Sequence, residues 1–237
     1  MERLGIISGT IALQEKGVLS DPEEKWIETE YGRALVLVTA DIAFLPRHGR
    51  DPKRHILPHL INHPANMLAL KSLGVREVIG INSTGSLKLK HKPGVLVVPD
   101  DFIMFHPGPT VFSSKPVHIT PTLSKEVREK WMEAARKCAI DVVDGGIYWQ
   151  TTGPRFETKA EIMVMSQAAD LVGMTMASEA IVARELDMAY ASLCSVDNYA
   201  HGLEDKELTM ETILWRARRN AEAIVQIVKS YIERRQA

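Results

Sequence analysis

Six residues in the second half of the chain combine side chains that could bind a flat, polar ligand. They run Gly153-Pro154-Arg155-Phe156-Glu157-Thr158. Thr158-Lys159-Ala160-Glu161 has the Ser/Thr-x-x-Glu form of a capping box, which predicts a helix start that holds the preceding loop. In that loop the Phe156 ring could stack on a planar group while the Glu157 carboxylate accepts hydrogen bonds from its edge. A structural alternative stays open, with Phe156 in the core and Glu157 serving the helix dipole.

A second cluster has side chains suited to an anion. Arg47-His48-Gly49-Arg50 follows an apolar segment at residues 42–45 that Pro46 ends. Arginine presents a planar fork of donors, and glycine lets the backbone approach closely, so the cluster suits phosphate. A solvated basic turn would explain the same residues, and the pattern alone leaves both interpretations open.

Composition narrows the classes of partner and compartment. The chain has 237 residues, 45% hydrophobic and 25% charged, which is enough for one large globular domain. A formal net charge of -1 provides no general attraction for polyanions, so we expect neither nucleic acid nor a membrane as partner. We expect a cytoplasmic protein. Cys138 and Cys194 lack Cys-x-x-Cys spacing, and Pro58 separates His55 from His59, so we predict no metal site.

Small polar turns follow strand-like apolar segments at several points of the chain. Three of these turns lie at residues 8–10, 47–50 and 82–86. Helical periodicity alternates with the strands, most clearly at 123–138 and 209–234. The alternation predicts a single α/β domain, residues 1–237, with a central β-sheet flanked by helices. Ligand groups in such folds gather where strands end, so we expect these turns to meet at one site.

The ordered set of motifs resembles one family, the purine nucleoside phosphorylases and methylthioadenosine phosphorylases of the trimer-building type. The resemblance covers the chain from Ile6 to the final helix. It is carried by Arg47-His48-Gly49-Arg50, Ala65-Asn66, Leu68-Ala69-Leu70-Lys71, Gly85-Ser86-Leu87, Gly153 to Thr158, Gly173-Met174-Thr175 and Asn198-Tyr199-Ala200. It implies the nucleoside phosphorylase fold, an α/β domain with a central mixed β-sheet flanked by helices. It also implies no metal or organic cofactor, and a homo-oligomer (a trimer or a dimer of trimers) whose subunits complete each other's sites.

Members of this family bring phosphate and a purine nucleoside together, and the phosphate attacks the anomeric carbon of the ribose to expel the base. The transition state resembles an oxocarbenium sugar, so the protein must hold the phosphate and stabilise the negative charge that the departing purine gains. The resemblance implies that the phosphate is surrounded by Thr10, Arg47, His48, Thr175 and the backbone amide of Ser83.

The same resemblance assigns the nucleoside contacts. Phe156 is expected against the base, Glu157 at its pyrimidine edge and Asn198 at its imidazole nitrogen and 6-substituent. Met174 is expected under the ribose, and Glu179 follows the family's acidic position on the ribose side. The catalytic residues implied by these contacts are Asn198, Glu157 and His48.

Two positions bear on the identity of the base. The branch of the family that cleaves 6-aminopurines has aspartates where this chain has Asn198 and Ala200. Asn198 can donate an amide N–H to a 6-oxo oxygen, and Glu157 can accept from the ring N–H that hypoxanthine and guanine have and adenine lacks. We therefore predict a preference for 6-oxopurine nucleosides, with inosine and guanosine as candidate substrates.

Three further residues bear on the 5′ end of the sugar. Where ordinary purine nucleoside phosphorylases place a histidine for the 5′-hydroxyl, this chain has Met210, with Ile213 one turn on. Both side chains suit an apolar 5′ group. His118, in the long irregular loop 100–121, matches a histidine that the methylthioadenosine branch contributes from the neighbouring subunit. 5′-Methylthioinosine is therefore a third candidate substrate.

The chain departs from the family pattern at a few places. Ser8 and Ile11 stand where glycine is usual, and Ser178 stands where proline is usual. Extra residues between Gly49 and His55 mean that no family role is carried over to His55. Two other functions stay open, namely cleavage of adenosine or methylthioadenosine and non-catalytic nucleoside sensing.

Overall fold

A single mixed β-sheet organises the protein, and helices flank it. The computed structural model describes residues 2–9, 17–114, 116–204 and 209–236. The strands are β1 (Leu4–Ser8), β2 (Glu23–Thr29), β3 (Gly32–Val38), β4 (Ile42–Pro46), β5 (Glu77–Ser86), β6 (Leu96–Val98), β7 (Asp101–Ile103), β8 (Val142–Asp144), β9 (Ile147–Gln150), β10 (Leu171–Gly173) and β11 (Ala189–Tyr199). The α-helices of the described residues are α1 (His63–Ser72), α2 (Lys125–Lys137), α3 (Lys159–Ala168), α4 (Met176–Glu185) and α5 (Met210–Gln236). The predicted α/β domain with a mixed sheet is confirmed.

Four parallel strands form the centre of the sheet, in the order β4-β1-β5-β11. They consist largely of buried apolar residues, as expected for parallel strands covered on both faces. Ser8 at the end of β1 pairs with Pro46 of β4 and Ile81 of β5. Because the strands run in the same direction, the segments that follow these residues meet at one edge. This edge positions the candidate site.

The two longest strands, β5 and β11, run side by side along their whole length. Their pairing shifts register between Val196 and Asn198, which marks a β-bulge. Beyond the parallel centre, the end of β5 pairs antiparallel with β10. The site therefore lies where the sheet changes from parallel to mixed pairing.

Helices cover both faces of the sheet. On one face, Trp131 of α2 and Tyr231 of α5 are buried, with ring centroids 5.1 Å apart. On the other, Met67 and Leu70 of α1 pack in a core cluster with Val182 of α4. No helix within the described ranges is long and apolar enough to cross a bilayer.

Candidate active site

A cavity of about 440 Å³ opens at the edge where the central strands end. Its walls come from the segments after β1 and β4, from the second half of β5, from β10 and the segment after it, from the end of β11, from the loop before α3, and from α5. Nine of the residues predicted for the site line it. They are Arg47, His48, Ser83, Phe156, Glu157, Met174, Thr175, Asn198 and Ile213.

The other four predicted residues are placed differently. Glu179 is buried behind the wall and does not line the cavity. His118 is exposed in the loop that follows β7 and does not line it either. Thr10 lies outside the described residues, as does the side chain of Met210, whose backbone belongs to α5.

Arg47 is held in the cavity wall by a buried ion pair. Its Nε donates to Glu179 Oε1 at 2.7 Å and its Nη2 to Glu179 Oε2 at 3.1 Å. Nη1 donates to the Ile81 carbonyl at 2.7 Å and Nη2 to the Ile7 carbonyl at 3.3 Å. The Tyr190 hydroxyl donates to the same carboxylate at 2.7 Å. Burial raises the pKa of Glu179, and the charge of Arg47 opposes the rise. Glu179, which was expected on the ribose side, therefore contacts and fixes the Arg47 guanidinium.

His48 is a neutral imidazole at neutral pH. Burial lowers its pKa to about 4, and the nearby charge of Arg47 adds to the effect. Its Nδ1 lies 2.7 Å from the Ile56 carbonyl, so the proton is on Nδ1 and Nε2 keeps its lone pair. A Cβ at Gly9 would lie 3.1 Å from Nε2 and 2.9 Å from Cδ2. The first turn can therefore approach the imidazole this closely only because residue 9 has no side chain.

His55 lines the cavity, although no role was carried over to it. Its ring stacks on His48 with 4.4 Å between centroids and 14° between planes. The extra residues before it form a short 3₁₀ turn, Pro52–Arg54, and Ile56 N donates to the His48 carbonyl at 2.9 Å. The insertion therefore folds back and returns His55 to the site.

Thr175 is connected to β5 through Asn82. The Asn82 Nδ2 donates to Thr175 Oγ1 at 2.8 Å, and Ser192 Oγ donates to Asn82 Oδ1 at 2.5 Å. The Tyr148 hydroxyl accepts from the backbone N–H of Thr175 at 3.3 Å. This network orients the Thr175 hydroxyl at the start of α4.

The loop before α3 is anchored as predicted. Thr158 Oγ1 accepts from Glu161 N at 3.2 Å, and Glu161 Oε2 accepts from Thr158 N at 2.6 Å, which completes the capping box. Phe156 is 38% exposed and lines the cavity, so it is not a core residue. Glu157 is buried, and its Oε1 accepts from Thr151 Oγ1 at 2.6 Å. A ring and a carboxylate are thus presented to the cavity on a fixed loop.

Asn198 lies opposite the end of β5. Its Nδ2 donates to the Tyr199 carbonyl at 2.8 Å, which uses one of the two N–H groups of the amide. A Cβ on Gly85 would lie 3.1 Å from this nitrogen, so glycine leaves room for the amide. Ala200 also lines the cavity, where it contributes no polar atom from its side chain.

One wall of the cavity is apolar and comes mainly from α5. Its residues are Ile213, Leu214, Ala217, Ala221 and Ile224. They recur at helical spacing, so they lie along one stripe of the helix.

Comparison with known proteins identifies the family. The family model of the phosphorylase superfamily matches residues 3–233. The chain belongs to this superfamily. Among its phosphorylase relatives, the probable 6-oxopurine nucleoside phosphorylase of Archaeoglobus fulgidus is 44% identical over 98% of this chain and 96% of the relative. The probable S-methyl-5′-thioinosine phosphorylase of Methanocaldococcus jannaschii is 39% identical over 97% of this chain and 91% of the relative.

Solved phosphorylase structures share the fold. A methylthioadenosine phosphorylase from an Antarctic soil metagenomic library superposes with a TM-score of 0.86, at 29% identity, over 98% of this chain and 85% of that chain. The predicted family and the assignment of the chain as a nucleoside phosphorylase enzyme are confirmed.

Two residues that the sequence did not single out line the cavity of this phosphorylase. Asn82 connects β5 to Thr175, and Asp197 lies between Val196 and Asn198 at the β-bulge. Both are polar residues that directly follow an apolar residue within a central strand, which is the signal that could have identified them. No cluster of potential metal ligands occurs within the described ranges.

Proposed function

We propose that this phosphorylase uses inorganic phosphate to cleave 6-oxopurine nucleosides into the free base and ribose 1-phosphate or its 5-methylthio analogue. The observation that carries the proposal is the joint presence of Asn198 and Glu157 in the wall of one cavity, with Ala200 beside them. The names of two relatives support it, since that of A. fulgidus refers to 6-oxopurine nucleosides and that of M. jannaschii to S-methyl-5′-thioinosine, whose base is hypoxanthine.

Arg47 supplies a fixed positive charge to the phosphate end of the cavity. A guanidinium has five N–H groups. Four of them donate to Glu179, Ile81 and Ile7, namely the one on Nε, both on Nη2 and one of the two on Nη1. The second N–H of Nη1 remains for the phosphate. Glu179 is then a positioning residue for Arg47, because it fixes the fork without reaching the substrate.

His48 binds the protonated oxygen of the phosphate in this mechanism. With its proton on Nδ1, the imidazole offers Nε2 as an acceptor, and hydrogen phosphate carries an O–H that can donate to it. Thr175 Oγ1, the Ser83 amide and Thr10 complete the phosphate shell in the proposal. The phosphate is thereby oriented with an unprotonated oxygen toward the anomeric carbon.

The base is held by stacking and by two complementary hydrogen bonds. Phe156 covers one face of the purine, and the Glu157 carboxylate accepts from N1–H of a 6-oxopurine. Asn198 donates to the 6-oxo oxygen with its second N–H. As the glycosidic bond lengthens, negative charge spreads onto this oxygen, so the hydrogen bond strengthens in the transition state.

An apolar group suits the 5′ end of the sugar. The stripe on α5, including Ile213 and Leu214, provides a wall without charged side chains, and Met174 lies under the ribose in the proposal. His118 from a neighbouring subunit completes the 5′ pocket, which requires a homo-oligomer. 5′-Methylthioinosine then binds in preference to inosine, because the wall cannot hydrogen-bond a 5′-hydroxyl.

A panel of six nucleosides tests the base and the 5′ group together. The members are inosine, guanosine and adenosine with their 5′-methylthio forms, each assayed by base release at saturating phosphate. We expect kcat/KM to be higher for the 6-oxopurines than for the 6-aminopurines, and higher for the 5′-methylthio form of each 6-oxopurine. Faster cleavage of adenosine or methylthioadenosine would contradict the assignment of the base contacts.

A further inference from the structure

Asp197 is a carboxylate in the cavity wall that none of the proposed contacts uses. It occupies the position at which the pairing of β11 with β5 shifts register, between Val196 and Asn198. A bulge redirects a side chain from the regular alternation of a strand. Asp197 is completely buried and lines the cavity.

The two oxygens of this carboxylate have different surroundings. Oδ1 accepts from Ser195 Oγ at 2.6 Å and from Asn220 Nδ2 at 3.3 Å. Oδ2 is buried and has no hydrogen-bond partner in the described part of the chain. A buried carboxylate oxygen without a partner disfavours the ionised form.

Arg216 is the cation that acts most directly on the carboxylate. Arg216 of α5 attracts it, but its Nη1 donates to the backbone carbonyl of Asp197 at 3.5 Å and forms no salt bridge with the side chain. On β11 the nearby titratable group is the Cys194 thiol, which is neutral because burial raises its pKa to about 12. From β5 the neighbour is the uncharged Ser83 hydroxyl.

The Asp197 carboxyl therefore changes between its neutral and ionised forms at a pH close to neutral. Burial raises its pKa to about 6, and the hydrogen bonds from Ser195 and Asn220 together with the nearby Ser83 hydroxyl oppose the rise. A second negative charge in the same cavity raises the pKa of a carboxyl further. Phosphate would supply that charge.

We propose that Asp197 is a positioning residue of the phosphate subsite, which acts through Ser83 and takes up a proton when phosphate binds. Ser83 connects the two groups, since it pairs with Ser195 of β11, whose hydroxyl donates to Asp197 Oδ1, and its backbone amide is the proposed phosphate donor. Ionised Asp197 repels the phosphate, whereas protonated Asp197 does not. The inference rests on the proposed function, because it requires phosphate in this cavity.

A pH profile of Asp197→Asn against the unchanged protein tests the coupling. The measurement is kcat/KM for phosphate from about pH 5.5 to about pH 8.5, at saturating inosine. The titration of phosphate itself affects both proteins equally. The ratio of kcat/KM of the unchanged protein to that of Asp197→Asn therefore isolates the effect of Asp197. We expect this ratio to fall about tenfold or more between about pH 6 and about pH 8, since one pKa unit of differential interaction corresponds to a factor of ten. A ratio that stays constant over this range would overturn the proposal.

An infrared difference measurement detects the proton without requiring turnover. On addition of inorganic phosphate, the unchanged protein is expected to gain a protonated-carboxyl band that Asp197→Asn lacks. Asp187→Asn is the control and should retain the band, because the Asp187 side chain is 87% exposed and lies outside the cavity. If turnover requires phosphate but no such band forms, the role of Asp197 is refuted while the proposed function stands. If turnover proceeds without phosphate, the proposed function itself fails.

Discussion

Replacement of Glu179 by glutamine tests the buried ion pair that fixes Arg47. The change preserves the volume of the side chain and removes its charge. Three donors converge on the carboxylate, two from Arg47 and one from the Tyr190 hydroxyl. In the variant an amide N–H₂ replaces one carboxylate oxygen and faces a donor. The buried guanidinium of Arg47 also loses its counter-charge.

The expected loss in the free energy of unfolding follows from the burial of the Arg47–Glu179 pair. The side chains of Arg47 and Glu179 are 3% and 2% exposed, and breaking such a pair from one side typically costs about 3–5 kcal/mol. Glu24→Gln is the matched control. Arg50 Nη1 lies 2.8 Å from Glu24 Oε2, nearly the same separation, but these side chains are 54% and 44% exposed, so the loss should be at most about 1 kcal/mol.

Urea unfolding of both variants at equal protein concentration measures the difference. Equal concentration is needed because assembly contributes to apparent stability. We also expect Glu179→Gln to raise KM for phosphate more than KM for the nucleoside, since it releases Arg47 from the phosphate end. Equal losses of stability in the two variants, or a loss below about 1 kcal/mol for Glu179→Gln, would refute this reasoning.

Three other predictions concern the base, the stacking face and acid stability. Asn198→Asp should lower the ratio of kcat/KM for inosine over adenosine about tenfold or more, because one unsatisfied buried group costs about 1–3 kcal/mol; an unchanged ratio in a substrate assay would argue against the role of Asn198. Phe156→Ala should raise KM for the nucleoside about tenfold and leave KM for phosphate unchanged, since stacking of a base on an aromatic ring is worth about 1–3 kcal/mol; equal effects on both KM values would argue against stacking. His63 is buried, and burial lowers its pKa to about 3. Below about pH 6.5 the unfolded chain therefore binds a proton at His63 that the folded protein does not bind, so the free energy of unfolding decreases as the pH is lowered. Between about pH 7 and about pH 5, urea titrations should show that His63→Gln loses about 2 kcal/mol less of its free energy of unfolding than the unchanged protein. An unchanged pH dependence would contradict the burial argument.

Local sequence patterns predicted the α/β fold, and together with the family resemblance they predicted nine of the 27 residues that line the cavity. Arg47 directly follows an apolar strand of the parallel centre, so a strand-end pattern placed it at this edge. The polar segment 82–86, predicted as a turn, instead continues strand β5 along the cavity. The capping box at Thr158 likewise fixed the start of α3, since it depends only on contacts four residues apart or fewer.

Other features depend on partners far along the chain and could not be predicted. Glu179 lies 132 residues from Arg47, and its helix-start position suggests a dipole partner as readily as an ion pair. Strand β2 is half-exposed and rich in charge, and its pairing with β3 is what makes it a strand. Asp197 is buried in a bulge whose register shift no local pattern reports.

Phosphorus NMR of a single reaction tests the central claim most directly. Inosine, inorganic phosphate and the protein are combined, and the phosphorus spectrum is followed while hypoxanthine appears. We predict that the signal of inorganic phosphate decreases and that of ribose 1-phosphate increases, one for each hypoxanthine released, with no base released when phosphate is omitted. Release of hypoxanthine with free ribose, or at the same rate without phosphate, would contradict the account.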